Sequence, residues 1–123
     1  MIRGSCLCRQ VQYEVENLRE GIVFCHCSFC RKATASAFSA NARVARDEFK
    51  LVAGEDKLAT YESSPGKIRY YCSNCHSQLY HHSQAEPTVL VLKLGTIDIC
   101  DRDLAILPRK HIFNDEQFPW LEC

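Results

Sequence analysis

Cys72-Ser73-Asn74-Cys75 is a CxxC turn that ends an alternating segment containing Ile68 and Tyr70. Such a turn is a well-known metal-binding knuckle, because both sulfurs can reach one ion at about 2.3 Å. Tetrahedral zinc needs four ligands, so a knuckle must share its ion with cysteines from a distant part of the chain. We therefore expect metal ligation to decide how this chain folds.

Seven of the nine cysteines fall into three clusters: Cys6-Leu7-Cys8, Cys25-His26-Cys27-Ser28-Phe29-Cys30 and the knuckle. We predict that the CxC pair opens the first strand, where thiols two residues apart project to the same face and can reach one ion. Seven ligands divide into a closed site of four, which is typical of structural zinc, and an open site of three, which is typical of catalytic zinc. The spacing does not say which clusters share an ion.

The three-cysteine cluster also has a structural interpretation, in which a neighbour such as His26 or Cys100 completes a closed site. Cys100 and Cys123 are otherwise expected to be thiols without a metal.

Composition limits the classes of function. The chain has 123 residues, which predicts a single domain over residues 1–123, and 15 basic residues balance 15 acidic ones. A net charge of zero argues against an electrostatic nucleic-acid or membrane-surface binder. No stretch resembles a signal peptide or a membrane span, so a cytoplasmic location with reduced thiols is expected. An odd number of cysteines also favours metal over a disulfide framework.

The hydrophobic pattern has a period of two along most of the chain. Residues 11–16, 38–44, 49–51 and 68–72 alternate between apolar and polar, and Thr88 to Leu94 is typical of a more deeply buried strand. A short helix is expected only over Phe29 to Ser36. Several short strands separated by turns predict an all-β, mainly antiparallel domain with one or two short helical turns.

The layout resembles the glutathione-dependent formaldehyde-activating enzyme family over nearly the whole chain. This resemblance implies the β-tent zinc-binding fold of that family, with two zinc ions per chain. It also implies that Cys6, Cys8, Cys72 and Cys75 hold a structural zinc, and that Cys25, Cys27 and Cys30 hold a catalytic zinc. The segments that carry the resemblance are Gly4–Cys8, Cys25–Lys32, Tyr61–Pro65, Cys72–Cys75, Leu94–Asp98, His111-Ile112 and Pro119-Trp120.

The function that the resemblance implies is that of a carbon–sulfur lyase like S-(hydroxymethyl)glutathione synthase. The substrates would be a small thiol such as glutathione and an aldehyde such as formaldehyde. Metal ligation deprotonates a thiol that is otherwise mostly protonated at neutral pH. Three cysteinates leave Zn²⁺ with a net charge of minus one, so activation of the thiol is favoured over Lewis-acid activation of the aldehyde. The alternative is a non-catalytic zinc-stabilised module that binds a protein partner, a role that the β-tent also serves.

Other residues carry weaker expectations. Arg31 and Lys32 are candidates for binding a ligand carboxylate, or are solvated surface charges. His111 is a candidate proton carrier, or a hydrogen-bonded, partly buried histidine. His81 and His82 are expected at the surface, at the end of a strand. Ala35 and His76 stand where the family commonly has glycine, and a left-handed backbone at His76 would be strained.

Overall fold

The computed structural model describes residues 1–121, and these are mostly β-structure. One α-helix, α1 (Ser28–Thr34), and several single-turn 3-10 helices lie between the strands, which confirms the predicted mainly antiparallel all-β class. The strands are β1 (Ile2–Ser5), β2 (Gln12–Val15), β3 (Arg19–Cys25), β4 (Ser39–Ala45), β5 (Phe49–Ala53), β6 (Leu58–Ser64), β7 (Lys67–Cys72), β8 (Gln78–Ser83), β9 (Val89–Lys93), β10 (Ile97–Cys100) and β11 (Arg109–Ile112).

The strands form two sheets. The smaller sheet has the order β10-β1-β2-β5, and the larger has the order β11-β3-β4-β9-β8-β7-β6. All neighbouring strands are antiparallel except β11 and β3, which are parallel. The parallel pair brings a late segment of the chain alongside the strand that leads into the second cysteine cluster.

The apolar core is one cluster to which both sheets contribute. Tyr13 stacks on Phe49 with ring centroids 5.4 Å apart, and Phe49 in turn contacts Tyr80 of the larger sheet at 4.8 Å. Burial of this apolar surface stabilises the packing of the two sheets against each other. The members of this core with no measurable exposure include Ile2, Val11, Tyr13, Val15, Val44, Leu79 and Leu92.

The larger sheet is buried on both faces at β4, contrary to the predicted alternation. Ala42 and Val44 are buried on one face, as expected, but Ser39 and Asn41 on the opposite face are also buried. We call this opposite face the outer face. The alternation was misleading because other segments cover part of the outer face: α1 through Cys30, which lies beside Arg69, and the C-terminal segment (residues 113–121) through Phe113, which borders the same cavity as Asn41. A polar residue under such a cover looks like a solvent-facing one in the sequence.

Helix α1 begins immediately after Cys27, whose sulfur accepts a 3.3 Å hydrogen bond from the Cys30 backbone N–H. It ends at Ala35, which adopts a left-handed conformation with φ of 53° and donates its N–H to the Arg31 carbonyl. The prediction of a helix over Phe29 to Ser36 is therefore right to within two residues. Across residues 1–121, no helix is both long enough and apolar enough to cross a membrane.

Both positions where glycine was expected from the family adopt a left-handed backbone. His76 has φ of 65° and follows the CxxC knuckle, and its N–H reaches the Cys72 carbonyl at 2.8 Å. A residue with a Cβ costs roughly 1–2 kcal/mol in this conformation. Ala35, at the end of α1, and His76, directly after Cys75, therefore both have a strained backbone close to a cysteine cluster.

The Ala35→Gly substitution is expected to raise the free energy of unfolding by about 1 kcal/mol, because glycine adopts this conformation without steric cost. The matched control is Ala33→Gly, which lies inside α1 and is expected to lower the free energy of unfolding by about 1 kcal/mol. Urea unfolding of the metal-loaded proteins measures both. Destabilisation of similar size by both glycines would contradict the assigned strain at Ala35.

Candidate functional site

Four thiols meet where the two sheets join, and we call them the four-thiol cluster: Cys6, Cys8, Cys72 and Cys75. Their sulfurs all lie within 4.8 Å of one another. The Cys6 and Cys8 sulfurs are 3.6 Å apart, and those of Cys8 and Cys72 are 3.8 Å apart. The structure thus brings together two pairs that are 64 residues apart in the chain, and this cluster could hold a metal ion.

Backbone amides support the sulfurs of this cluster. The N–H groups of Asn74 and Cys75 point at the Cys72 sulfur from 3.4 and 3.5 Å, and Val11 N–H lies 3.3 Å from the Cys6 sulfur. Such hydrogen bonds stabilise a thiolate, which is the form that binds metal.

The CxC pair does not open a strand, contrary to prediction. It lies in the turn between β1 and β2, with Leu7 83% exposed at its tip. The two thiols nevertheless converge, because the turn, closed by an Arg9 N–H bond to the Cys6 carbonyl, folds back on itself.

The second group, which we call the three-thiol cluster, consists of Cys25, Cys27 and Cys30. Cys25 is the last residue of β3, Cys27 caps α1, and Cys30 lies in its first turn. All three are buried, and their sulfurs lie within 4.8 Å of one another, with 3.5 Å between those of Cys25 and Cys27. This cluster could also hold a metal ion, and it offers three protein ligands.

The structure places neither proposed fourth ligand in the three-thiol cluster. His26 is fully buried but turns away from it, and its Nε2 shares a 2.7 Å hydrogen bond with Nδ1 of His111. Cys100 lies in the other sheet, where its thiol donates to the Arg102 carbonyl. Cys123 falls outside the described residues.

Arg31 stabilises the backbone between Cys25 and Cys27 through a hydrogen bond and does not face a ligand site. Its Nε donates to the His26 carbonyl at 3.1 Å, and its guanidinium lies 4.1 Å from the centre of the Phe118 ring. Lys32 is exposed, as the surface interpretation predicts. The half-buried His111, bonded to His26, matches its structural interpretation.

A cavity of about 260 Å³ opens beside the three-thiol cluster, and we call it the thiol cavity. Its wall includes two of the thiols and, from the larger sheet, polar and charged residues, among them the carboxylate of Glu20, which pairs with Arg43. Those used below are Cys25, Cys30, Asn41, Lys67, His81 and Lys110.

The surroundings of this cavity favour negative charge on Cys30. The hydrogen bond from the Cys25 thiol, together with the positive charges of Lys93 and Lys67, lowers the pKa of Cys30 to about 4. The same hydrogen bond and burial raise the pKa of Cys25, which donates. A thiolate in this cluster is therefore stabilised by the protein itself.

The sequence did not indicate that three basic side chains near the three-thiol cluster are buried. Arg69 is 2% exposed, Lys93 is 5% exposed, and His81, expected at the surface, is 7% exposed. His81 was misjudged because its side chain stands on the outer face between its cross-strand neighbours Arg69 and Val91, where the surrounding side chains leave it only 7% exposed. One signal was available: Lys93 interrupts the apolar run that predicts a deeply buried strand, and lysine is rarely buried without a reason.

The family-model comparison agrees with this geometry. The model for "Glutathione-dependent formaldehyde-activating enzyme" matches residues 1–116. This chain belongs to that family. The predicted family resemblance is thus confirmed.

Two further comparisons show proteins that this chain resembles in sequence and in structure. A Podospora anserina protein named "Putative glutathione-dependent formaldehyde-activating enzyme" is 34% identical over 85 residues, or 67% of this chain. The match spans only 39% of that protein's length. A Rhodobacter sphaeroides protein of known crystal structure is 25% identical, with a TM-score of 0.68 over 88% of this chain and 99% of its own.

The buried imidazole of His81 predicts a pH dependence of stability. Burial, with the charges of Lys93, Lys67 and Arg69, lowers the pKa of His81 below its ordinary value of 6.5. As the pH falls below 6.5, the unfolded chain binds a proton at His81 that the folded chain does not bind. The stability that is present above pH 6.5 is therefore lost at lower pH, with a slope of up to about 1.4 kcal/mol per pH unit.

Between pH 7.5 and 5.5, the wild type should lose about 1 kcal/mol more unfolding free energy than His81→Gln. Urea unfolding of both metal-loaded proteins measures this difference, and effects of acid on the thiols are common to both and cancel. An equal pH dependence in the two proteins would contradict a neutral, buried His81.

Proposed function

We propose that this chain is a zinc-dependent carbon–sulfur lyase of a single domain, acting in the cytoplasm, where thiols stay reduced. It joins a small thiol such as glutathione to an aldehyde such as formaldehyde, or cleaves their adduct. The observation that carries this proposal is the thiol cavity beside the three-thiol cluster. A module that only binds a protein partner has no need for an incomplete ligand set that faces a cavity.

Both clusters fit zinc. Zinc–sulfur bonds of about 2.3 Å at the tetrahedral angle place neighbouring sulfurs about 3.8 Å apart. The sulfur–sulfur distances of 3.6 Å for Cys6–Cys8, 3.8 Å for Cys8–Cys72 and 3.5 Å for Cys25–Cys27 agree with this spacing, and all sulfurs within each cluster lie within 4.8 Å of one another. We assign a structural zinc to the four-thiol cluster and a catalytic zinc to the three-thiol cluster.

The reaction adds a thiol across a carbonyl group. The sulfur forms a bond to the carbonyl carbon, the π electrons move to oxygen, and the proton that the thiol released ends on that oxygen. The product from glutathione and formaldehyde is S-(hydroxymethyl)glutathione, and the reverse reaction breaks the carbon–sulfur bond. A bound zinc supplies the acidity that keeps a coordinated thiol deprotonated at neutral pH.

The residues of the chain bind and orient the reactants. The cavity wall carries Lys67 and Lys110, whose charges favour a thiol that bears carboxylates, as glutathione does. Burial of all three thiols keeps bulk water from the reacting sulfur and strengthens the electrostatic interactions there.

Substitutions in the two clusters should separate their roles. Zinc in a structural site supplies on the order of 10 kcal/mol, comparable with the whole stability of a domain. Cys72→Ser is therefore expected to be unfolded or insoluble. Cys27→Ser is expected to stay folded with about one zinc instead of two, since a serine oxygen can replace the sulfur as the cap of α1.

Elemental analysis and thermal melts followed by circular dichroism measure both outcomes. Equal melting temperatures for the two variants would contradict the division into a structural and a catalytic site.

Thiol binding tests the proposed activity directly. Glutathione added to the cobalt-substituted protein should change its thiolate-to-metal absorption, because a further sulfur enters the coordination shell. Cys30→Ser is expected to abolish the change, whereas Cys100→Ser, in the other sheet, is the matched control and should retain it. Exchange NMR should show faster conversion between glutathione–formaldehyde adduct and free reactants with the zinc protein. If no cellular thiol changes this absorption while both metal ions are bound, the result would favour the non-catalytic module.

A further inference from the structure

The outer face of the larger sheet collects positive charge around the three-thiol cluster. Residues that are direct partners across neighbouring strands project to the same face of a sheet. Arg69 pairs with His81, Asn41 pairs with Lys93, and Cys25 pairs with Ser39. These pairs belong to one continuous surface, since His81 and Arg43 both pair with Val91, and Ser39, Asn41 and Arg43 alternate along β4.

The buried cations of this face have no carboxylate partner. Within residues 1–121, no carboxylate oxygen lies within 4.0 Å of Arg69 or Lys93. The carboxylates of Glu20 and Glu86 are both engaged with Arg43 nearer the rim. Burial of a charge is strongly unfavourable without an opposite charge nearby, and the anionic group that the structure places beside these cations is the Cys30 thiolate, 3.9 Å from Arg69 Nη2.

Lys93 is held in place by neutral partners. Its Nζ donates to Ser39 Oγ and to Asn41 Oδ1, each at 3.0 Å, and Asn41 lines the thiol cavity. These two bonds leave the third N–H of the ammonium group available. The hydrogen bonds fix the position of the charge without neutralising it.

Arg69 is held in a similar way. Its Nε donates to Ser63 Oγ at 2.8 Å, and its Nη2 lies 3.9 Å from the Cys30 sulfur. Its Nη1 is buried and has no hydrogen-bond partner among the described residues. A buried guanidinium nitrogen beside the reacting cluster is thus left without an acceptor, which points to a ligand that supplies one.

The charge balance agrees with this reading. Three thiolates and a divalent metal ion carry a net charge of minus one, whereas Arg69 and Lys93 together carry plus two. The cluster alone does not neutralise these two cations, and Lys67 on the cavity wall adds a further positive charge, so the site favours an anionic oxygen of a ligand.

We propose that Lys93 and Arg69 form an oxyanion-binding site beside the three-thiol cluster, which holds the aldehyde oxygen as it becomes negatively charged. The role in catalysis rests on the proposed function, whereas the affinity of the site for a small oxygen anion does not. When the sulfur bonds to the carbonyl carbon, the π electron pair moves to oxygen. The two cations stabilise this alkoxide until it takes up the proton that the thiol released, and in the reverse direction they stabilise the same alkoxide before the carbon–sulfur bond breaks.

The first test is kinetic, and it uses the zinc-loaded Lys93→Met protein. Methionine keeps the length of the side chain and removes the charge, and the Ser39–Asn41 hydrogen bond of 2.7 Å remains to satisfy the former partners. Exchange NMR with glutathione and formaldehyde is expected to show kcat lowered by about 10²–10³-fold, with KM for the thiol within about twofold of wild type. Lys50→Met, an exposed lysine on the other sheet, is the matched control and should leave both constants unchanged.

Two kinetic outcomes would overturn the assignment. The first is a Lys93→Met protein with the kcat of the wild type. The second is a higher KM for glutathione, with no change for cysteamine, which lacks carboxylates. That result would show that the cations bind a substrate carboxylate instead of the aldehyde oxygen.

The second test does not depend on activity. ¹³C-formate, a small oxygen anion, is titrated into zinc-loaded wild type, Lys93→Met, Arg69→Gln and Lys50→Met proteins, and its NMR line width reports binding. Wild type and Lys50→Met should bind formate, and the other two should bind it at least 10-fold more weakly with their zinc content unchanged. Formate binding that is absent from the wild type, or equal in Lys93→Met, would refute the site whatever the catalytic result. Formate binding as expected in a protein without exchange activity would instead refute only the proposed lyase function.

Discussion

The four-thiol cluster is the contact on which the rest of the structure depends. It joins the turn after β1, in the smaller sheet, to the knuckle after β7, in the larger sheet, across 64 residues of chain. This cluster could hold a metal ion, and a divalent ion would balance the charge of four closely spaced thiolates. The apolar core between the sheets is modest for 123 residues. A metal ion held at this junction would contribute to stability on the same scale as the core itself.

Because the two sheets pack against each other, only one face of the larger sheet contributes to the apolar core, and the other face can be polar. The inner face of the sheet packs apolar residues such as Val44 and Leu92 into the core. The outer face is then free to hold Lys93, Arg69 and His81 under the cover of α1 and the C-terminal segment. The parallel pairing of β11 with β3 brings His111 against His26 on the opposite face, beside Phe24 and Phe38. Buried charged groups lower the stability of the fold. Their position around the three-thiol cluster is typical of groups that are retained for function.

Much of the fold was accessible from local patterns. The alternation that includes Tyr13 and Val15 predicts β2 because one face of that strand meets the core. The short helix was predicted to within two residues, and the left-handed backbone at His76 followed from a position where glycine is usual. Prediction failed for His81 and for Ser39 and Asn41, since polar residues on an outer face read as solvent-exposed when the segments that cover them are distant in sequence. Strands β1 and β10 pair with each other from opposite ends of the chain, so no local signal marks that pairing.

The sequence by itself determined the grouping of the cysteines, the mainly antiparallel β class and the family, because each of these depends on patterns of residues that lie close together along the chain. The division into clusters of four and three also follows from counting ligands against the coordination number of zinc. Only the tertiary structure decided which pairs of thiols meet, that His26 and Cys100 stand apart from the three-thiol cluster, and that Lys93 and Arg69 lie beside it. These facts depend on strand order and on which face of a sheet a residue occupies, and both are set by packing between segments far apart in the chain.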